Sequence, residues 1–290
     1  MLRRIVFFVL AALLGISCSS DPQPGFTLWQ LPPQGPSQMN SYVIRTDAGR
    51  VVVIDGGTAD DAPYLRGFLA ALGNRIEAWF VTHPHADHMG ALTEILKAPG
   101  ELEIGTIYHS PMTVEQLATD DYRHRLADAF YAALGASVTP QIALTEPGLE
   151  LAVDGLHLKV LQVNDRKTTV NAYNNASIVL RLWDGRKSLL MLGDTGEESG
   201  DRLLASVPRE ELDCDFVQLA HHGQMGVKDD FYRTVHFRAC LWPTPLWVWN
   251  NDIGGGYDTA WMKTPHTRAL MDELGIEEHH CAWQGLAKIE

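Results

Sequence analysis

The stretch Thr82-His83-Pro84-His85-Ala86-Asp87-His88-Met89-Gly90 places four metal-capable side chains within six positions. Imidazole and carboxylate together suit zinc and related divalent ions. Residues 76–82 read as a buried strand leading straight into this cluster, and residues 89–96 as a helix leading out of it. On an extended segment His83 and His85 project to the same side and can share one ion. Asp87 and His88 follow as the chain turns into the helix and can serve a second ion, with Pro84 and Gly90 shaping the turn. The strand-loop-helix context separates this stretch from a chance histidine-rich loop.

The rest of the pattern supplies a scaffold for such a loop. Residues 40–45 and 50–55 read as a hairpin joined by Thr46-Asp47-Ala48-Gly49, good turn chemistry. Residues 62–72 carry apolar side chains at helical spacing, ended by Gly73-Asn74. A longer helix is predicted over 116–134 and another over 264–274. Strands are predicted over 149–153, 156–163, 177–183, 188–192, 215–219, 239–242 and 281–289. They come in two batches with helices interleaved, each batch ending in ligand candidates. That implies an α/β fold of two sheets packed face to face with helices outside. At 290 residues, with no internal linker or fixed repeat, one large domain is expected. Residues 22–38, with Pro22, Pro24, Pro32, Pro33 and Pro36, read as tether and loop.

Three further motifs follow in order: Asp55-Gly56-Gly57, Leu192-Gly193-Asp194-Thr195-Gly196 and Leu219-Ala220-His221-His222-Gly223. With the H-x-H-x-D-H cluster they resemble the metallo-β-lactamase superfamily over roughly residues 38–290. The resemblance implies a four-layer αββα sandwich and two divalent ions, zinc or alternatively manganese. It implies metal ligands His83, His85, Asp87, His88, Asp194 and His222, with the Asp194 carboxylate spanning two cations ~3.5–4 Å apart. A water bridging those ions would serve as hydroxide nucleophile, with Asp87 and His221 as the catalytic side chains. Adjacent side chains on an extended chain point to opposite sides. His222 is therefore assigned to the metals and His221 to a phosphate or leaving group, and the two roles can be exchanged.

The doubled histidine before Gly223 resembles the ComEC-like subgroup, which includes phosphorylcholine esterases. Lactamase-like and lactonase-like members carry a further histidine between the cluster and the bridging aspartate, in a Gly-His-Thr setting. Here that interval holds only His109, His124 and His157, none in that setting. His109 and His124 read as loop and helix-surface residues, His157 as a strand residue. The segment Tyr173-Asn174-Asn175-Ala176-Ser177 instead resembles the subgroup's Asn-x-x-Ser, which places Asn175 at the substrate. Thr264-Pro265-His266-Thr267 resembles its helix start and places His266 there too, whereas Gln224 stands where serine is usual. The implied function is metal-dependent hydrolysis of a phosphodiester or phosphocholine-type ester. The alternatives are an acyl hydrolase, lactonase or β-lactamase-like, and a non-catalytic metal-binding surface protein. No G-x-S-x-G or phosphate-binding glycine loop suggests another chemistry.

Residues 1–17 read as a signal peptide: Arg3 and Arg4, then an apolar run over 5–16 too short to span a ~30 Å bilayer. Leu14-Gly15-Ile16-Ser17-Cys18 resembles a bacterial lipobox with Cys18 as lipidated residue, followed by a tether over 18–37. The expected location is the cell envelope, exported and anchored to a membrane; the alternative is plain secretion. Losing Arg3 and Arg4 takes the formal net charge from −13 to −15. Such a surface repels polyanions, so tight nucleic-acid binding is not expected, whereas a small molecule or phosphoester held by metal ions is. Fractionation of cells tests the anchor, since several lipid chains hold firmly. Wild type is expected with membranes and Cys18→Ala in the soluble fraction; equal solubility of both would mean secretion. Cys214, Cys240 and Cys281 show no C-x-x-C spacing and read as buried small apolar residues. The aromatic-rich segment 241–261 reads equally as a pocket wall for a cation or ring and as a packed loop.

Overall fold

A computed structural model describes residues 25–290. The signal segment, Cys18 and the first part of the tether lie outside the described residues. Two seven-stranded sheets face each other. The first contains β1 (Phe26–Gln30), β2 (Ser41–Thr46), β3 (Val51–Asp55), β4 (Arg75–Val81), β5 (Glu103–His109) and β6 (Gln141–Ala143). The second contains β7 (Glu150–Val153), β8 (Leu156–Gln162), β9 (Val179–Trp183), β10 (Ser188–Met191), β11 (Phe216–Gln218), β12 (Ala239–Trp242) and β13 (Glu278–Cys281). The last strand, β14 (Ala287–Ile289), returns to the first sheet and pairs with β1, so the orders are β14-β1-β2-β3-β4-β5-β6 and β13-β12-β11-β10-β9-β8-β7.

Side chains alternate across each strand and so build separate cores. Phe26, Leu28, Tyr42, Ile44, Val52, Ile54 and Phe80 meet Leu158, Val160, Leu180, Leu182, Met191 and Leu241 between the sheets. The outer face of the first sheet packs against helices α1 (Ala62–Ala71), α2 (Ala86–Lys97), the short α3 (Val114–Leu117) nearby, and α4 (Asp121–Ala136). One-turn α5 (Ala172–Asn175) precedes β9. The outer face of the second sheet packs against α6 (Glu197–Ser206), α7 (Arg209–Leu212), α8 (Asp229–Thr234), α9 (Leu246–Trp249) and α10 (Thr264–Glu273). This is the expected four-layer sandwich.

Several elements differ from the sequence reading. The tether segment over 22–38 contains β1, whose burial alternates and whose apolar residues enter the inter-sheet core, so the folded unit reaches back to Phe26. The flanking prolines hid it. The helix predicted over 116–134 is two, because Asp120 caps a fresh start through Arg123 N–H. Residues 281–289 are not one strand: a turn at Ala282–Gln284 hands the chain from one sheet to the other. β5 was missed, and His109 ends it rather than lying in a loop. Gly90 lies inside α2, where an added Cβ would sit 2.7 Å from Ala59 N; it permits close helix approach rather than a turn.

Candidate metal centre

Parallel strands β3, β4, β10 and β11 end at the same edge, and each delivers a polar residue there. β4 runs into His83 and His85, with Asp87 and His88 in the first turn of α2. β10 runs into Asp194, and β11 into His221 and His222. Two donor sets result: Asp87, His88, Asp194 and His222, and His83, His85 and Asp194. Asp194 is common to both. His88 Nε2 lies 3.2 Å from Asp194 Oδ1, and His222 Nε2 3.5 Å from Asp194 Oδ2 and 3.1 Å from Asp87 Oδ2. His83 Nε2 lies 3.8 Å from Asp194 Oδ2 and 2.8 Å from His85 Nδ1.

These atoms fit metal ions by a criterion of this structure. His85 Nε2, Asp87 Oδ2, His88 Nε2, His222 Nε2 and both Asp194 carboxylate oxygens are buried without a hydrogen-bond partner. Buried polar groups are otherwise almost always satisfied, and so many orphans facing one another call for cations.

The opposite ring nitrogens are held by the protein, as ligating imidazoles require. His222 Nδ1 donates to Pro243 O at 2.6 Å, which fixes its Nε2 as the bare nitrogen. His88 Nδ1 faces Asp55 Oδ2 at 2.7 Å. His83 Nδ1 lies between Thr82 Oγ (3.2 Å) and Ser177 Oγ (3.3 Å). Asp55 is thus the anchor of one ligand: it also accepts from Thr82 N–H, Thr82 O–H and Asn40 Nδ2. Gln218 does the same for the bridging loop. Its side chain accepts from Gly193 N–H and donates to Gly193 O and Leu219 O. A polar residue buried in the apolar strand Phe216-Val217-Gln218-Leu219 was the available signal for it.

His221 and His222 do not lie on extended chain. Both adopt left-handed backbone (φ 51° and 56°), a conformation that costs a non-glycine residue roughly 1–2 kcal/mol. The turn presents both rings toward Asp194, with centroids 6.0 Å apart. Gly223 completes it at φ 74°, where an added Cβ would strike Trp242 at 2.5 Å. His222 is fully buried within the four-donor set. His221 is partly exposed at a cavity wall, its Nε2 3.9 Å from Asp194 Oδ2 and its Nδ1 3.3 Å from Met225 O.

That cavity, about 690 Å³, is lined by Asp87 and His221 together with Trp247 and Trp261. The aromatic segment therefore divides. Trp242 is buried in the core and Trp249 packs edge-on against it, whereas Trp247 and Trp261 face the cavity. Asn175 does not face it. Its amide donates to Val170 O and Glu198 and accepts from Ser199 N–H, because α5 turns it toward α6. Asn174 and Asn171 line the cavity instead. His266 lies behind the wall, paired with Asp229 at 2.9 Å in a neighbouring cavity of about 290 Å³. His109, His124 and His157 belong to neither donor set. Cys240 and Cys281 are buried, Cys214 half-buried, and all three are free thiols.

The pattern of the metallo-beta-lactamase superfamily matches residues 34–226. The chain belongs to that superfamily. Comparison with curated protein sequences finds no match. Among solved structures, the metallo-beta-lactamase fold protein YhfI from Bacillus subtilis is similar at TM-score 0.56 and 15% identity, covering 93% of this chain and 100% of that one. Tm1679, described as a metal-dependent hydrolase of the beta-lactamase superfamily, is similar at TM-score 0.52 and 10% identity over 91% and 98%. A variant of the CmlA beta-hydroxylase reaches TM-score 0.54 at 12% identity, over 93% of this chain and 55% of that one. These likenesses show the fold. With family membership and the His/Asp clusters, the chain is a metal-dependent hydrolase of the superfamily.

Charge in the metal-free superfamily site is split. Burial pushes the His85 imidazole down to about 3 and His83 well below its usual range, so both are neutral and ready to ligate. Burial also lowers His88 and His222, but the carboxylates outweigh it: Asp194 and Asp55 raise His88 well above its ordinary value, and Asp194 and Asp87 raise His222 to about 9. Ligands must be deprotonated to bind metal. Metal binding at pH 7 is therefore expected to release about two protons, from His88 and His222. The number should fall as pH rises through the His222 value of about 9. Calorimetry in buffers of different ionisation enthalpy reads it; binding without proton release at pH 7 would contradict the charge assignment. Metal analysis of the same samples is expected to give about two ions per chain.

Proposed function

We propose that this superfamily member is a binuclear hydrolase of phosphodiesters or phosphocholine-type esters. The observation that carries it is His221: an imidazole lining the cavity, outside both donor sets yet 3.9 Å from the shared carboxylate. The ions, when bound, would acidify water and neutralise charge developing on the scissile group. Burial lowers the His221 pKa, so the ring is neutral near pH 7. Met225 O lies 3.3 Å from Nδ1, and Nε2 is turned toward Asp194 at 3.9 Å. Nε2 is the atom that takes up a proton at the site and passes it to the leaving oxygen. Asp87, which lines the cavity, joins His222 and orients the donors there. Acyl hydrolysis is the weaker reading, because the smaller donor set, His83, His85 and Asp194, holds no third histidine.

A screen of zinc- and manganese-loaded protein against chromogenic phosphodiesters, phosphorylcholine esters, lactones and a cephalosporin tests this. Turnover of the first two classes is expected to exceed the others by ~10²-fold or more. Turnover confined to lactones or the cephalosporin would replace the reading, and no turnover at all would favour a metal-binding surface protein. We place the activity at the cell envelope on the strength of residues 3–18.

A further inference from the structure

The wall of the active-site cavity nearest α4 is built unlike the rest. Arg123 is the one lysine or arginine among its lining residues. It lies in the first turn of α4 and pairs with Asp120 through Nη1. A guanidinium carries five N–H donors in a fixed fork, so this pair leaves several unused. Arg123 also lines a second cleft of about 200 Å³ that reaches His85 from the side. Asn171 and Asn174 line both spaces as well. The three therefore stand at the junction between the ligand histidines and the main cavity.

Two observations point to a ligand there. Asn174 is 5% exposed, and its Oδ1 is buried without a partner, while its Nδ2 donates to Asn171 Oδ1 at 2.9 Å. Asn171 itself is held at φ 45°, a left-handed conformation that a non-glycine residue adopts only at a cost. A donor fork and two amides, one of them with a buried unsatisfied oxygen, thus line one small cleft. The acids nearby are already engaged: Glu198 accepts from Asn175, Glu197 lies 3.7 Å from Lys263, and Asp87 belongs to a donor set. Arg123 shares its charge with Asp120 through Nη1 alone, which leaves its other N–H donors for a ligand.

We infer that Arg123, Asn171 and Asn174 form a specificity subsite for an anionic group of the substrate, a carboxylate or second phosphate, lying beyond the bond that is cleaved. The substrate class is then an ester that carries one negative group outside the reacting centre. Guanidinium suits such oxyanions because its fork matches two oxygens at once. The inference rests on the hydrolase reading of the site but not on whether phosphorus or carbon is attacked.

The test uses paired esters that differ by one charge: p-nitrophenyl 2-carboxyethyl phosphate and its methyl ester. The same pair is made as p-nitrophenyl hemisuccinate and its methyl ester. Wild type is expected to prefer the charged member by about 10-fold or more in kcat/KM, the scale of a charged hydrogen bond. Arg123→Ala is expected to bring that ratio near one and Arg123→Lys to keep part of it. Circular dichroism checks the fold, which a half-exposed side chain should not decide. If only the hemisuccinate pair turns over, the phosphoester reading fails while Arg123 is still read. If neither turns over, quenching of Trp247 and Trp261 fluorescence by the four compounds gives the same ratio as affinities. A preference that survives Arg123→Ala, a wild type that favours the neutral members, or no quenching by any of them overturns the inference.

Discussion

Asp194→Ala is expected to empty both donor sets at once, because its carboxylate is common to both: Oδ1 faces His88, and Oδ2 faces His222 and His83. Bound metal should fall from about two ions per chain to less than one, and turnover by at least ~10²–10³-fold. The fold should survive. The residue sits after β10 in a loop fixed independently by Gln218 and by Ser177 Oγ, which accepts from Asp194 N–H at 3.0 Å. Removing the carboxylate also leaves His88 and His222 with less negative charge beside them, so both become easier to deprotonate in the metal-free chain. Metal analysis and kinetics on one preparation give the answer. A variant that keeps two ions and near wild-type rates would mean that Asp194 is a structural turn residue and that the sets are not joined.

The neighbouring histidines separate metal binding from proton transfer. His222→Ala is expected to lower metal content and rate together. It removes a donor and also frees Pro243 O, buried and otherwise satisfied by the ring. His221→Ala is expected to keep the metal and lose roughly 10²–10⁴-fold in kcat, the usual worth of a positioned acid or base. Both variants also leave alanine in a left-handed conformation, so each is best paired with a glycine variant that carries no such strain. If His221→Gly loses metal while His222→Gly keeps it, the two roles are exchanged. If both keep metal and rate, the turn is structural.

The sequence made some of this legible. The four ligands from His83 to His88 fall within six positions, and Asp194 and His222 each follow an apolar strand, so local pattern was enough. Their convergence followed from layer architecture. Other contacts span too much chain to be read locally. Asp55 reaches His88 across 33 residues, and Gln38 meets Gln224 across 186. The expectation for Asn175 failed by one residue, because a single helical turn decides which of two adjacent amides faces the cavity. His266 stood at a helix start that resembled a substrate contact, but α10 lies behind the His221 turn and gives that ring to Asp229. The extended-chain argument for His221 and His222 used the wrong local geometry: an unusual pair of left-handed residues brings both rings to one side.

The two donor sets are unequal, four side chains against three, and Ser177 stands beside His83 without adding a ligand to the smaller one. Affinity grows with the number of donors that are already in place. Loading should accordingly be stepwise, the Asp87–His88–His222 side filling first and the His83–His85 side only at higher free metal. A half-loaded form would then persist over a range of concentrations. Rate plotted against buffered metal would rise late, after binding is half complete, and the surroundings of the protein, through their supply of trace metal, would govern how much of the population works.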